Sequence, residues 1–63
     1  MWNKVIQILK EKDMSIYKLA RLTGIQKNTL YSYTAGAEPS FKNACKIADA
    51  LNISLDKLRE ADK

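Results

Sequence analysis

Histidine is absent from the 63 residues, and cysteine occurs once, at Cys45. No zinc-ligand set can be assembled from that inventory, and no internal disulfide can form. Cys45 reads as a small helix residue, with a redox role as the weaker alternative. Proline occurs once and glycine twice, so the chain carries few obligatory breaks and each marks a boundary. No apolar run approaches the roughly 20 residues of a membrane span, and no leader-type pattern precedes the first amphipathic stretch. A cytoplasmic protein with no membrane partner is expected. A Gly-rich phosphate loop is missing too. Without histidine, a nucleophile and its base would have to be Ser or Cys beside Lys, and no spacing suggests that pair. The seven carboxylates are scattered through cap and surface positions. Nothing here builds a catalytic site, and no cofactor or small-molecule ligand is expected.

What remains is a short, basic, moderately apolar chain. A domain of this length buries only about 60% of its unfolded surface, so its stability is marginal and a large cofactor has no room. With 46% hydrophobic and 29% charged residues the composition is globular rather than disordered. The whole net charge of +4 falls in residues 1–36, while residues 37–63 balance. A polyanionic partner requires such a one-sided surplus.

The stretch from Ser15 to Thr34, SIYKLARLTGIQKNTLYSYT, organises the rest. Ser15 is an N-cap residue type, and Met14 and Leu19 stand at the hydrophobic-staple spacing. Thr23-Gly24 ends this first helix, since glycine takes a left-handed conformation without a Cβ penalty. After Ile25 the chain starts again at Gln26, with Ile25 and Leu30 repeating the staple. Leu19 and Ala20 face inward, and a residue as small as Ala20 lets helices cross closely. Two helices at a sharp angle with almost no linker form a helix-turn-helix.

On either side the pattern stays helical. Trp2, Val5, Ile6 and Leu9 have i, i+3, i+4, i+7 spacing, with Asn3 as an N-cap, and Lys10 and Lys12 at the negative end of the helix dipole. Trp2, Val5, Ile8 and Leu9 are assigned to the core, with a partner contact as the alternative for Trp2. Asp13-Met14 makes the turn into the motif. Gly36 is placed to cap the recognition helix, and Pro39 stops any continuation. Ser40 then caps a helix over Phe41–Leu51, whose inward stripe is Phe41, Ala44, Ile47, Ala48 and Leu51. Asn52 supplies a left-handed cap. Ser54 opens a short final helix, with Ile53 and Leu58 as its staple. The expected fold is all-α: five short helices forming one domain over 1–63.

At this point the sequence resembles the Cro and phage-repressor type of helix-turn-helix regulator, the lambda-repressor-like or xenobiotic-response-element family. The likeness runs from about Val5 to Leu58. Its most specific parts are Leu19-Ala20, Thr23-Gly24-Ile25 and Thr29-Leu30, then Gly36 with Pro39-Ser40, and the block from Lys46 to Asp56. The resemblance implies a five-helix lambda-repressor-like domain, a third helix lying in the DNA major groove, and binding as a symmetric dimer. There are departures. Ile16 stands where the family commonly has a phosphate-bracing glutamine, a role that could pass to Ser15, Tyr17 or Lys18. Leu9 and Thr34 stand where an arginine and a glutamate frequently pair. Both charges are missing together, as they must be if neither is to be stranded. Ser32 replaces a frequent arginine.

Leu30 and Tyr33 share the inward stripe of the recognition helix, which leaves Gln26, Lys27, Asn28, Tyr31 and Ser32 on its open side. Asn and Gln can contact adenine with two hydrogen bonds, Lys can donate to guanine, and a Tyr ring can pack on a thymine methyl. For an isolated helix, plain solvation would explain such a face; the motif makes base reading the better assignment. Flanking phosphate contacts are assigned to Ser15, Tyr17, Lys18, Lys42 and Asn43, against the alternative that they merely solvate the surface, and to Thr29, for which a partly buried helix residue is an equal alternative. Dimerisation is assigned to the last helix through Leu55, Leu58 and Ala61. The sequence therefore reads as a double-stranded-DNA-binding transcriptional regulator, a repressor acting as a homodimer on a palindromic operator. The alternative is a protein-interaction module, such as an antitoxin or anti-repressor partner, with Tyr31 and Trp2 on the partner's surface.

Overall fold

In the computed structural model, residues 1–60 are described, with side chains to residue 58. Five helices follow one another: α1 (Trp2–Glu11), α2 (Ile16–Thr23), α3 (Lys27–Thr34), α4 (Phe41–Ala50) and α5 (Leu55–Glu60). Among the described residues there is no strand. The fold is all-α, as expected. None of these helices is long and apolar enough to cross a membrane.

Each helix ends where local chemistry stops it. Ser15 and Ser40 cap α2 and α4, their hydroxyls accepting from the N–H groups of Lys18 and Asn43 at 3.0 and 3.1 Å. Ser54 does the same for α5 through Lys57. Three helices close in the Schellman pattern, in which two N–H groups beyond the last turn fold back onto carbonyls inside it. In α3 the N–H groups of Gly36 and Ala37 bond the carbonyls of Tyr33 and Ser32, with Gly36 at φ +117°. Asn52 plays the glycine's part after α4, at φ +57°. Asp13 does so after α1, at φ +54°, and the Met14 N–H reaches the Leu9 carbonyl at 2.8 Å.

One continuous core joins the helices. Val5, Ile8 and Leu9 of α1, Leu19 of α2, Ile25 of the turn, Leu30 and Tyr33 of α3, Ile47 and Ala48 of α4, Leu51, and Leu58 of α5 form a single buried cluster. Met14, Ile16, Ala20, Ile53 and Leu55 pack against it half-buried. Both staples of the motif have their helix-side member fully buried, Leu19 and Leu30. α2 packs against both α3 and α4, so the motif rests on the fourth helix.

Two sequence expectations are corrected. Asn3 does not cap α1: the cap position is Met1, two residues earlier, the helix begins at Trp2, and the Met1 carbonyl accepts from the N–H groups of Lys4 and Val5. Trp2 is held against α3, and that tertiary contact sets the start of the helix in place of a capping side chain. Phe41 is not in the core but 74% exposed. It occupies the first helical position of α4, and a helical side chain leans back toward the N-terminus, so its ring projects beyond the layer that Ala44, Ile47 and Ala48 fill.

Gly24 sits at φ +75°, and a Cβ built there meets nothing within 4 Å. The cost of a side chain at this position is therefore backbone strain alone. Gly24→Ala should destabilise the domain by about 1–2 kcal/mol, read as a lower urea midpoint with an unchanged slope. An unchanged midpoint would show that the turn does not need its left-handed residue.

Candidate nucleic-acid interface

The site is built on the turn between α2 and α3. Gly24 takes the left-handed conformation and donates its N–H to the Ala20 carbonyl at 2.9 Å. Thr23 then staples the two arms of the turn. Its hydroxyl donates to the Leu19 carbonyl at 2.9 Å and accepts from the Ile25 N–H at 3.1 Å. Ile25 is buried directly afterwards, and Gln26 opens α3 in an extended conformation with no side-chain cap. The second helix is thus launched at a fixed angle, pinned by Leu30 and Tyr33.

Its outer face is polar and open. Lys27, Asn28, Tyr31 and Ser32 are all exposed, and at 3.6 residues per turn they fall within about 140° of the helix circumference. Gln26 is exposed at the leading end. Tyr31 keeps half its surface in solvent, at 51%, although two residues further on Tyr33 is buried. The Ser32 hydroxyl donates back to the Thr29 carbonyl, which leaves it an acceptor toward any ligand. Thr29 is half-buried on the flank.

The residues assigned to phosphate sort differently. Ser15, Tyr17 and Lys18 are exposed on the leading turn of α2, and Lys42 is exposed on that of α4. Tyr17 is not independent of the open face of α3, because the Lys27 ammonium lies 5.5 Å from the centre of its ring. That cation–π contact crosses from α3 to α2, and sequence spacing within one helix gives no sign of it. Asn43 differs from the rest of the set. It is half-buried, its amide Nδ2 donates to the Tyr33 hydroxyl at 3.0 Å, and its N–H is spent on Ser40. One amide hydrogen is thus committed to the protein, which leaves the side chain its second N–H and its carbonyl oxygen.

The last-helix set also needs correction. Leu58 is fully buried in the core at 0% exposure, so its side chain is not available to a second chain. Leu55 is half-buried against that core, and Ala61 lies outside the described residues. Neither the buried Leu58 nor the exposed Phe41 could be told apart by periodicity, since both stand on apolar stripes. Among the described residues, no group of three metal-ligating side chains could hold an ion.

An uncovered polar helix on a stapled turn, framed by lysines at two other helix starts, is an arrangement that meets a grooved anion. The sequence matches the helix-turn-helix family HTH_3 over residues 5–58. The chain belongs to this family, the Cro and phage-repressor type of helix-turn-helix, and is a DNA-binding helix-turn-helix regulator. No curated protein and no solved structure gives a match.

The two neighbouring tyrosines of α3 test which face is which. Tyr31→Ala should leave stability within about 0.5 kcal/mol, whereas Tyr33→Ala should cost about 3–5 kcal/mol, the scale of a deleted core aromatic. Thermal unfolding followed by helical circular dichroism reads both. Equal losses would place Tyr31 in the core and dismantle the assigned face.

Proposed function

We propose that the protein is a sequence-specific regulator of transcription, acting as a repressor, with α3 inserted in the major groove of double-stranded DNA. The observation that carries this reading is the exposed arc of Lys27, Asn28, Tyr31 and Ser32 on a helix whose other side is locked into the core. In this reading Gln26, Lys27, Asn28, Tyr31 and Ser32 face base edges. Asn28 is suited to the two-bond contact with adenine, and Lys27 to guanine O6 or N7. Ser15, Tyr17, Lys18, Thr29 and Lys42 face the flanking phosphates and fix the register without reading sequence.

Binding to a palindrome as a dimer is part of the proposal. With Leu58 committed to the core, the pairing of two copies rests on operator symmetry and on surfaces other than the Leu58 side chain. Half-sites would lie roughly 34–36 Å apart, one turn of duplex. A mass measurement on operator DNA giving two chains per site is expected; one chain per site would remove the dimer.

The exposed Phe41 favours a second use of the same scaffold, docking to a protein in the manner of an antitoxin or anti-repressor partner. An aromatic ring with three-quarters of its surface in water has no part in base reading from α3, and a protein partner would cover it.

Selection of duplexes from a randomised pool separates these readings. Recovery of an enriched, palindromic site is expected. Asn28→Ala should relax one position of it, at a cost of about 1–3 kcal/mol. Lys18→Ala should instead weaken all sequences alike and reduce the salt slope by about one. Weak retention with no enrichment would favour the protein-docking role.

A further inference from the structure

The recognition helix is short, and its far end is tied down by contacts that the DNA-binding reading does not use. Trp2, the sole tryptophan, donates its indole Nε1–H to the Thr34 hydroxyl at 3.0 Å, across 32 residues of sequence. Its ring stands edge-on to Tyr33, with centroids 5.2 Å apart and planes at 70°. Tyr33 in turn accepts the Asn43 amide on its hydroxyl at 3.0 Å. The start of α1, the last turn of α3 and the first turn of α4 are thereby joined through Trp2, Thr34, Tyr33 and Asn43. Tyr33 is buried, Trp2 and Asn43 are half-buried, and all four groups are uncharged.

We propose that this link is a positioning device for base selection: Trp2 and Asn43, acting through Tyr33 and Thr34 rather than on DNA, set the angle at which α3 presents Asn28, Tyr31 and Ser32 to the groove. The inference rests on the DNA-binding reading. Its physical basis is leverage. Leu30 pins the middle of α3 and the Thr23 staple pins its beginning. The last turn carries only Tyr33 inward, and Tyr33 is gripped from two sides. Loss of either grip lets the helix rotate about Leu30 without unfolding it. Hydrogen-bond geometry at a base edge tolerates little displacement, so such rotation lowers discrimination before it lowers general affinity.

The test is a set of substitutions that remove single polar groups and keep the packing. Tyr33→Phe deletes only the hydroxyl that Asn43 meets, Asn43→Ala deletes the other partner, and Thr34→Val removes the acceptor of the Trp2 bond. The readout is the ratio of affinity for the selected site to that for unrelated duplex, measured below the unfolding temperature of each variant. A fall of about threefold to tenfold in that ratio is expected for each variant, the scale of one hydrogen bond, with non-specific affinity and salt slope unchanged. The Tyr33→Phe, Asn43→Ala double variant should lose no more than either single one, because both delete the same bond.

Three results would overturn the proposal. Ratios unchanged in all three variants, with only the melting temperature lowered, would make the link merely structural. A uniform loss on every sequence in Asn43→Ala, with Tyr33→Phe unaffected, would return Asn43 to a phosphate contact. Absence of any selected site for the unsubstituted chain would overturn the DNA-binding reading itself, and is distinguishable because it precedes every substitution.

Discussion

An eight-residue helix with one face left open cannot stand alone, and the rest of this structure answers that constraint. Isolated helices of fewer than about 12–15 residues are marginal in water, and α3 has only Leu30 and Tyr33 buried. Two side chains fix a line through the helix but resist rotation about it poorly. The Thr23 staple and left-handed Gly24 therefore matter at one end, and the grip of Trp2 and Asn43 on Tyr33 at the other. The Schellman ending at Gly36 then satisfies the carbonyls of Ser32 and Tyr33. Each device removes a freedom from α3 without covering its outer face.

The parts of this arrangement that were legible in the sequence are those set by neighbouring residues. Ser15, Ser40 and Ser54 cap because a hydroxyl there reaches an N–H three residues on, and Gly24 and Asn52 turn because of their own backbones. The inward stripe of α3 follows from helical period alone. The start of α1 lies two residues before the one its capping residue type predicts, because Trp2 is anchored by Tyr33 and Thr34, more than thirty residues away. Phe41 was misassigned for a related reason: period predicts the side of a helix but not where along it the core ends. The same limit explains Leu58, whose burial depends on how α5 meets α1 and α4.

The candidate site divides along the same line. Lys27, Asn28, Tyr31 and Ser32 could be gathered onto one face from the helical repeat, and the structure leaves them together and exposed. The pairing of Lys27 with Tyr17 and of Asn43 with Tyr33 requires the crossing of α2, α3 and α4, which no spacing within one helix encodes. Asn43 shows the consequence. An asparagine in the first turn of a helix after a basic neighbour reads as a phosphate ligand from its position alone, and only the packing of α3 on α4 shows that one of its amide N–H groups is spent on Tyr33.

The chemistry of the link at the far end of α3 also bears on how the two halves of recognition respond to salt. Phosphate contacts release counterions and weaken steeply as salt rises. An ion pair bracing the helix at the positions of Leu9 and Thr34 would be partly screened at the exposed Thr34 end, and the charge at the buried Leu9 position would carry a desolvation cost. The contacts found here instead join an indole N–H, a hydroxyl, a phenol and an amide. None of these contacts is an ion pair for salt to screen. On the proposed reading, the presentation of α3 would depend little on ionic strength, while Lys18 and Lys42, exposed at the starts of α2 and α4, would respond to it. Salt would then tune how long the proposed complex lasts on any duplex more than the geometry with which α3 is held against it.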